Sequence, residues 1–319
     1  MSNQKEKGLH FRALHQRDRA FIIPNPWDAG TAKMLALLGF EALATTSAGY
    51  AFSAGLQDGA VGRETMLKHV AGIVAATDLP VSADLENGFG DAPEMCAETI
   101  RLAAATGLAG GSIEDVRPRP EGTLYAFEHA VERVRAAAEA ACALPAPFVL
   151  TARAENFIAG NPDLADTIRR LQAFQEAGAD VLYAPGLQTK EDIASVLSSV
   201  DCPINVVMGL SGVQLDLATL SAMGVKRISV GSSLSRVALT AFLRAAKEMQ
   251  QHGTFTFGNG LVSYKEINDM FEPQSSPMKK LPFDRACPKC GAKPSEMCKN
   301  EAGMIIRGVH SERWPRKSV

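Results

Sequence analysis

The 319-residue chain contains no run of about eighteen consecutive apolar residues, so a membrane-spanning helix is not expected. No apolar leader precedes Phe11, which argues against export. Its six cysteines are too unevenly placed for a disulfide framework. Cys96, Cys142 and Cys202 stand singly, as small core-packing residues do. Cys287, Cys290 and Cys298 crowd into the last stretch. These absences lead us to expect a cytoplasmic protein. A glycine-rich phosphate turn is missing too. The first β-prone run closes in Asn25-Pro26-Trp27-Asp28, which counts against an open dinucleotide-binding sheet.

What is present is an ordinary globular composition, 46% hydrophobic and 21% charged, with room for one large domain and a small appendage. The net charge of −2 conceals an asymmetry. Residues 279–319 carry ten basic and four acidic side chains, a surplus of +6 that leaves −8 on the first 278 residues.

Apolar, β-prone runs recur at 21–27, 41–47, 80–86, 109–115, 147–155, 179–186, 202–209 and 225–232. Between them, as in ETMLKHVAGIVAAT and AFEHAVERVRAAAEAA, apolar residues return at spacings of three and four, and Gly or Pro often marks the exit. Strand–helix alternation repeated eight times predicts an α/β protein, a (β/α)8 TIM barrel. Residues 1–20 are polar and suit an exposed lead-in or a short first helix. After Phe271 the helical pattern stops in EPQSSPMKKLP, a linker composition. The expected division is a barrel over 1–272, a linker over 273–284 and a small zinc-binding module over 285–319.

In such a barrel the chemistry sits at the C-terminal strand ends. The run VSADLENGFG at 81–90 places Asp84 and Glu86 two apart, on one face if both lie on the strand. GGSIED ends in Glu114 and Asp115, and FVLTARAENF sets Arg153 two before Glu155. Acids gathered this closely need a cation or basic partners. Three of them outnumber the nearby arginine, which points to Mg²⁺ on Asp84, Glu86 and Glu114. The alternative is an ion network with Arg153. A guanidinium fork suits a carboxylate or phosphonate. Glu155 would act in catalysis or orient Arg153.

The pieces NPWDAGTAKMLALLGFEALATTSAGYAFSAGLQDG, ADLENGFG, GGSIED, TAR-E and AGAD, in order over most of residues 11–250, resemble the isocitrate lyase / phosphoenolpyruvate mutase superfamily. The resemblance implies an α/β barrel, a homo-oligomer (usually a tetramer with a swapped C-terminal helix), bound Mg²⁺ and an enolate-type intermediate from an α-oxo acid. Asp84 and Glu86 then match the metal motif, and Glu114 the acid that helps hold the metal through water. Arg153 matches the substrate-contacting arginine. Ser47, Ala48 and Gly49 match the carboxylate-binding loop, Trp27 and Asp28 the first-strand pocket, and Asn205 the asparagine of the seventh strand. Asp58, in GLQDG, matches the mutase acid beside the transferred group; a turn aspartate is the plainer reading. One departure stands out. Where the isocitrate-type lyases carry a Lys-Lys-Cys-Gly-His loop and the mutases lysine and asparagine, this chain reads VRPRPEGTLYAF. Arg117 and Arg119 are left as electrostatic gates.

The tail pattern CPKCGAKPSEMC with His310 offers Cys287, Cys290, Cys298 and His310, a thiolate and imidazole set suited to tetrahedral structural Zn²⁺. It resembles small phage- and actinobacterial-type zinc-finger modules. The +6 surplus is compatible with nucleic-acid phosphates and equally with a solvated surface. The leading expectation is a Mg²⁺-dependent enzyme that cleaves a C–C bond of an α-oxo acid. The alternatives are a mutase or hydrolase at a C–P bond, and a ligand-sensing barrel with a DNA-binding zinc module.

Overall fold

The computed structural model describes residues 2–118, 120–210, 212–272, 286–293, 298–300, 302–304, 310 and 313. The expected linker 273–284 and Arg119 lie outside these. Helix α1 (Ser2–Leu14) is followed by eight strand–helix units: β1 (Phe21–Ile23), α2 (Ala29–Leu37), β2 (Leu43–Ala44), α3 (Ser47–Ser53), α4 (Arg63–Ala75), β3 (Val81–Asp84), α5 (Pro93–Ala105) and β4 (Gly110–Glu114). The chain continues with α6 (Phe127–Cys142), β5 (Val149–Arg153), α7 (Leu164–Glu176), β6 (Val181–Tyr183), α8 (Lys190–Ser199), β7 (Ile204–Val207), α9 (Leu217–Met223), β8 (Arg227–Ser229), α10 (Ser233–His252) and α11 (Tyr264–Asp269).

All strand pairs are parallel, in the order β1-β8-β7-β6-β5-β4-β3-β2. The ring is drawn shut between β1 and β2 by Ala44 N–H donating to Pro24 O at 3.1 Å. Asn25 ties the same seam: its amide donates to Thr45 O at 3.0 Å and accepts from Val230 N–H at 2.9 Å. The protein is a (β/α)8 barrel. Its helices start where capping chemistry dictates. Asp28 and Thr31 form a capping box on α2, Thr189 and Asp192 another on α8, and Pro93 opens α5.

The N-terminal end of the barrel is plugged by Phe11 and Leu14, packed with Phe21, Ile23, Val149 and Val181. Of the two expectations for this stretch the short first helix holds, as α1, and from Lys7 onward most of it is buried rather than exposed. Lys7, Leu9, His10, Phe11, Ala13, Leu14 and His15 are all buried. Gly8 is required by contact, since a Cβ there would stand 2.2 Å from Pro147 O. Of the three isolated cysteines, Cys96 is buried, whereas Cys142 is exposed at the end of α6. Among the described residues no helix is long and apolar enough to cross a membrane.

Candidate active site

Register, rather than any single motif, assembles the site. Glu114 on β4 pairs with Arg153 on β5, Arg153 with Tyr183 on β6, Tyr183 with Asn205 on β7, and Asn205 with Arg227 on β8. Strands in a closed barrel are staggered, so this row descends the wall from the C-terminal mouth to the floor. All five residues line one cavity of about 370 Å³, together with Ser47, Ala48, Asp58, Asp84, Glu86, Glu155 and Ser229.

Arg153 is the hub. Its Nη1 lies 3.0 Å from Asp84 Oδ1, its Nη2 3.1 Å from Glu114 Oε2, and its Nε 2.7 Å from Glu155 Oε1. Ser47 closes the far side of Asp84, donating to Oδ2 from its backbone N–H at 3.1 Å and its hydroxyl at 2.7 Å. Glu86 does not share the strand face with Asp84. β3 ends at Asp84, and Glu86 turns into a left-handed conformation with φ 49°. That backbone is costly for a non-glycine residue, and the fold pins it. Arg133, buried on α6, reaches down to the loop, donating to Gly90 O at 2.6 Å and to the carbonyls of Asn87 and Asp91. Thr99 Oγ1 donates to Gly88 O at 2.8 Å. On the neighbouring strand, the backbone N–H of Glu155 donates to Asp115 Oδ1 at 2.8 Å, and Arg170 holds the other oxygen at 3.0 Å.

Charge does not balance here. Two like charges about 4 Å apart repel by roughly 4 kcal/mol at an effective dielectric near 20. One guanidinium faces three carboxylates, with Glu86 and Asp58 beside them. Burial, then Asp84 and Asp58, push the Glu86 carboxyl up to about 8 against the pull of Arg153. Burial likewise raises Glu114 and Glu155, opposed by Arg153. Glu86 Oε1 is buried without a hydrogen-bond partner among the described residues. A hard divalent cation would answer both the surplus charge and this orphaned oxygen, so the residues present fit Mg²⁺.

Trp27 and Gly49 are not among the lining residues. Gly49 is a contact glycine, where a Cβ would stand 2.6 Å from Thr46 Cγ2 and 3.1 Å from Trp27 Cβ. Asp28 caps α2. Arg117 lines the mouth, its guanidinium 4.7 Å over the Tyr125 ring and its Nε 3.6 Å from Glu121. Among the described residues no cysteine lines the cavity. Sequence reasoning missed Tyr183 and Arg227. The Arg153 guanidinium stands 5.2 Å over the Tyr183 ring. Arg227 donates to Asn205 Oδ1 at 2.8 Å and Thr151 Oγ1 at 2.9 Å, and burial pushes its pKa down to about 9. The signal was there in the two-residue period: Arg227 stands two before Ser229, and Tyr183 ends its strand as Arg153 does.

The phosphoenolpyruvate phosphomutase family matches residues 11–250, three quarters of the chain. The chain belongs to that family. It is similar to the crystal structure of a presumed lyase/mutase of Burkholderia cenocepacia J2315, with 59% identity and a TM-score of 0.83 over 86% of this chain and 98% of that one. It is 29% identical to the oxaloacetate decarboxylase of Paraburkholderia xenovorans LB400, over 77% of this chain and 82% of that protein. A phosphonopyruvate hydrolase in complex with oxalate and Mg²⁺ is 25% identical, with a TM-score of 0.72 over 83% and 94% of the two chains.

In the tail, ligand atoms of Cys287, Cys290, Cys298 and His310 lie within 4.8 Å of one another, as a tetrahedral metal site requires.

Proposed function

We propose that the protein is a Mg²⁺-dependent lyase that cleaves a C–C bond of an α-oxo acid or related carboxylic acid through an enolate. The observation that carries this reading is the surplus of buried carboxylates around Arg153, with Glu86 Oε1 left without a partner. Asp84, Glu86 and Glu114 would hold Mg²⁺, which supplies a Lewis acid for negative charge developing on the oxo oxygen. Ser47 and Ala48 would receive the substrate carboxylate, and Arg153 would bind and orient its oxygens with a planar fork that Glu155 holds in place. Asn205, its amide held between Arg227 and Ser229, would offer its second N–H to substrate. Trp27 and Gly49 would act one layer back, by packing against each other beneath the loop.

Support for C–C chemistry comes from the relative named as an oxaloacetate decarboxylase. A second reading, C–P cleavage or transfer, rests on Asp58 in the cavity wall and on the relative named as a phosphonopyruvate hydrolase. The test is turnover of purified protein with and without Mg²⁺ on a panel of 2-oxo, 2-hydroxy-tricarboxylic and phosphonate acids. Mg²⁺-dependent cleavage of an α-oxo acid supports the proposal. Indifference to Mg²⁺ across the panel defeats it in favour of a ligand-sensing barrel.

The tail over 285–319 would hold structural Zn²⁺ through Cys287, Cys290, Cys298 and His310, with 273–284 as linker and the barrel closing at 272. We further infer a cytoplasmic homo-oligomer, a tetramer by family resemblance. Helix α10 supports association: residues 236–244 are exposed all round the helix, and Val237, Phe242 and Leu243 among them, exposed by 67%, 67% and 53%, give apolar surface that a second copy of the chain would cover.

A further inference from the structure

Helix α1 is polar in sequence and yet buried at most positions from Lys7 onward. A helix covered on all sides is ordinarily apolar on all sides, so two separate surfaces share this one. Towards the barrel, Phe11 and Leu14 sit in the plug of its N-terminal end. On another face, Leu9 and Ala13 form a second cluster with Cys287, Ala292 and Cys298, and Cys290 packs against it. The thiols of the tail site are thus the apolar cover of α1. The buried Arg313 fastens the same patch, its Nη1 3.6 Å from Cys298 Sγ and its Nη2 donating to Lys293 O at 2.6 Å. Leu9 and the tail both lie outside the residues that match the family.

We propose that metal in the tail is a clasp on the barrel: ligation by Cys287, Cys290, Cys298 and His310 holds the tail against Leu9 and Ala13, and so holds α1 in the barrel's N-terminal end. The proposal rests on the zinc reading above. Four ligands brought from well-separated stretches of a short basic tail lose more chain entropy on ordering than contacts with two side chains return. Metal binding then becomes the folding energy of the contact. The clasp lies one helix from the active site. His15, just after α1, donates from Nδ1 to Phe11 O at 2.8 Å and faces Arg227 Nη1 with Nε2 at 3.4 Å. Arg227 in turn forms part of the cavity floor.

The test is amide hydrogen exchange on the full chain, with zinc content measured alongside, before and after treatment with a chelator and back-addition of Mg²⁺. Removing about one zinc per chain should speed exchange over residues 8–15 on the order of tenfold, with α5 to α7 unchanged. Leu9→Asp should keep its zinc and make α1 exchange fast with or without it; the milder Leu9→Ala should fall between. A chain that binds zinc but protects α1 equally in its absence overturns the clasp and leaves the zinc site standing. Failure to bind zinc at all removes both.

Discussion

Arg153 Nη1 stands 3.0 Å from Asp84 Oδ1, so the arginine is itself a counter-ion to a carboxylate that would hold the metal. Asp84 is shared, with Ser47 on its other oxygen, and a cation would enter between groups already aligned. Asp84→Ala or Glu86→Ala should therefore abolish Mg²⁺ binding by calorimetry. Turnover should fall by on the order of 10²–10³-fold. The fold should survive, because Arg153 keeps Glu114 and Glu155. Full Mg²⁺ affinity in Glu86→Ala would remove that residue from the ligand set.

Arg153→Lys is the sharper substitution. The guanidinium serves three carboxylates in three directions, at 3.0, 3.1 and 2.7 Å, which an ammonium on a flexible stem cannot reproduce. A loss on the order of 10²-fold in kcat/KM is expected, with the circular dichroism spectrum unchanged. Near-normal turnover would reduce Arg153 to a structural ion-pair partner.

His15 should impose a pH dependence on stability. Burial first, then Arg227, holds its imidazole well below 6.5, so it is neutral in the folded protein. The unfolded chain takes up that proton as pH falls through 6.5, so the stability present above 6.5 is lost below it. The slope is at most about 1.4 kcal/mol per pH unit. Raised carboxyls such as Glu86 act in the opposite sense, releasing a proton and losing stability as pH rises towards about 8. Comparison with His15→Gln isolates the histidine. Urea midpoints at pH 7.5 and 5.5 should fall further in the natural protein than in the variant. Equal falls would show that His15 is already protonated in the fold.

Much of this was legible because barrel strands are buried on both faces and read as continuous apolar runs. Each of the eight runs contains an observed strand, β2 within 41–47 being the shortest. That Asp84, Glu114 and Arg153 meet in one cavity was legible because each ends a barrel strand. The conformation of Glu86 was not, since strand periodicity stops at Asp84 and a buried arginine forty-seven residues on, Arg133, shapes the turn. Nor was the burial of α1, whose polar sequence hides two partners that only the tertiary fold supplies. The place of Trp27 was not legible either: β1 ends at Ile23, and of the segment that follows Asn25 lines the cavity whereas Trp27 is not among the lining residues.

The exposed apolar side chains of α10 predict assembly. Phe242→Asp combined with Val237→Asp should convert an oligomer to monomers in light scattering, since a charge placed on this helix cannot be buried without a partner. A natural protein that is already monomeric at micromolar concentration would refute the association.

Asp58 decides between the two chemistries. It stands in the turn before α4, on the cavity wall, close enough to help raise both Glu86 and Glu155. If a phosphoryl group is transferred or hydrolysed, an acid beside it takes part in proton transfer, and Asp58→Ala should cost on the order of 10²–10⁴-fold in kcat. If a C–C bond breaks, Arg153 and the metal acids carry the developing charge, and the loss should stay within about tenfold. Removing Asp58 also relieves repulsion on Glu86, so the pH profile of Mg²⁺ binding should move to lower pH in either case, a control that the substitution reached the site. Thiol reagents supply the independent check. Among the described residues no cysteine lines the cavity, so an alkylating agent should inactivate slowly and without protection by substrate. Rapid, substrate-protected inactivation would mean that a thiol enters the site during turnover, and the lyase reading without a cysteine acid would have to be abandoned.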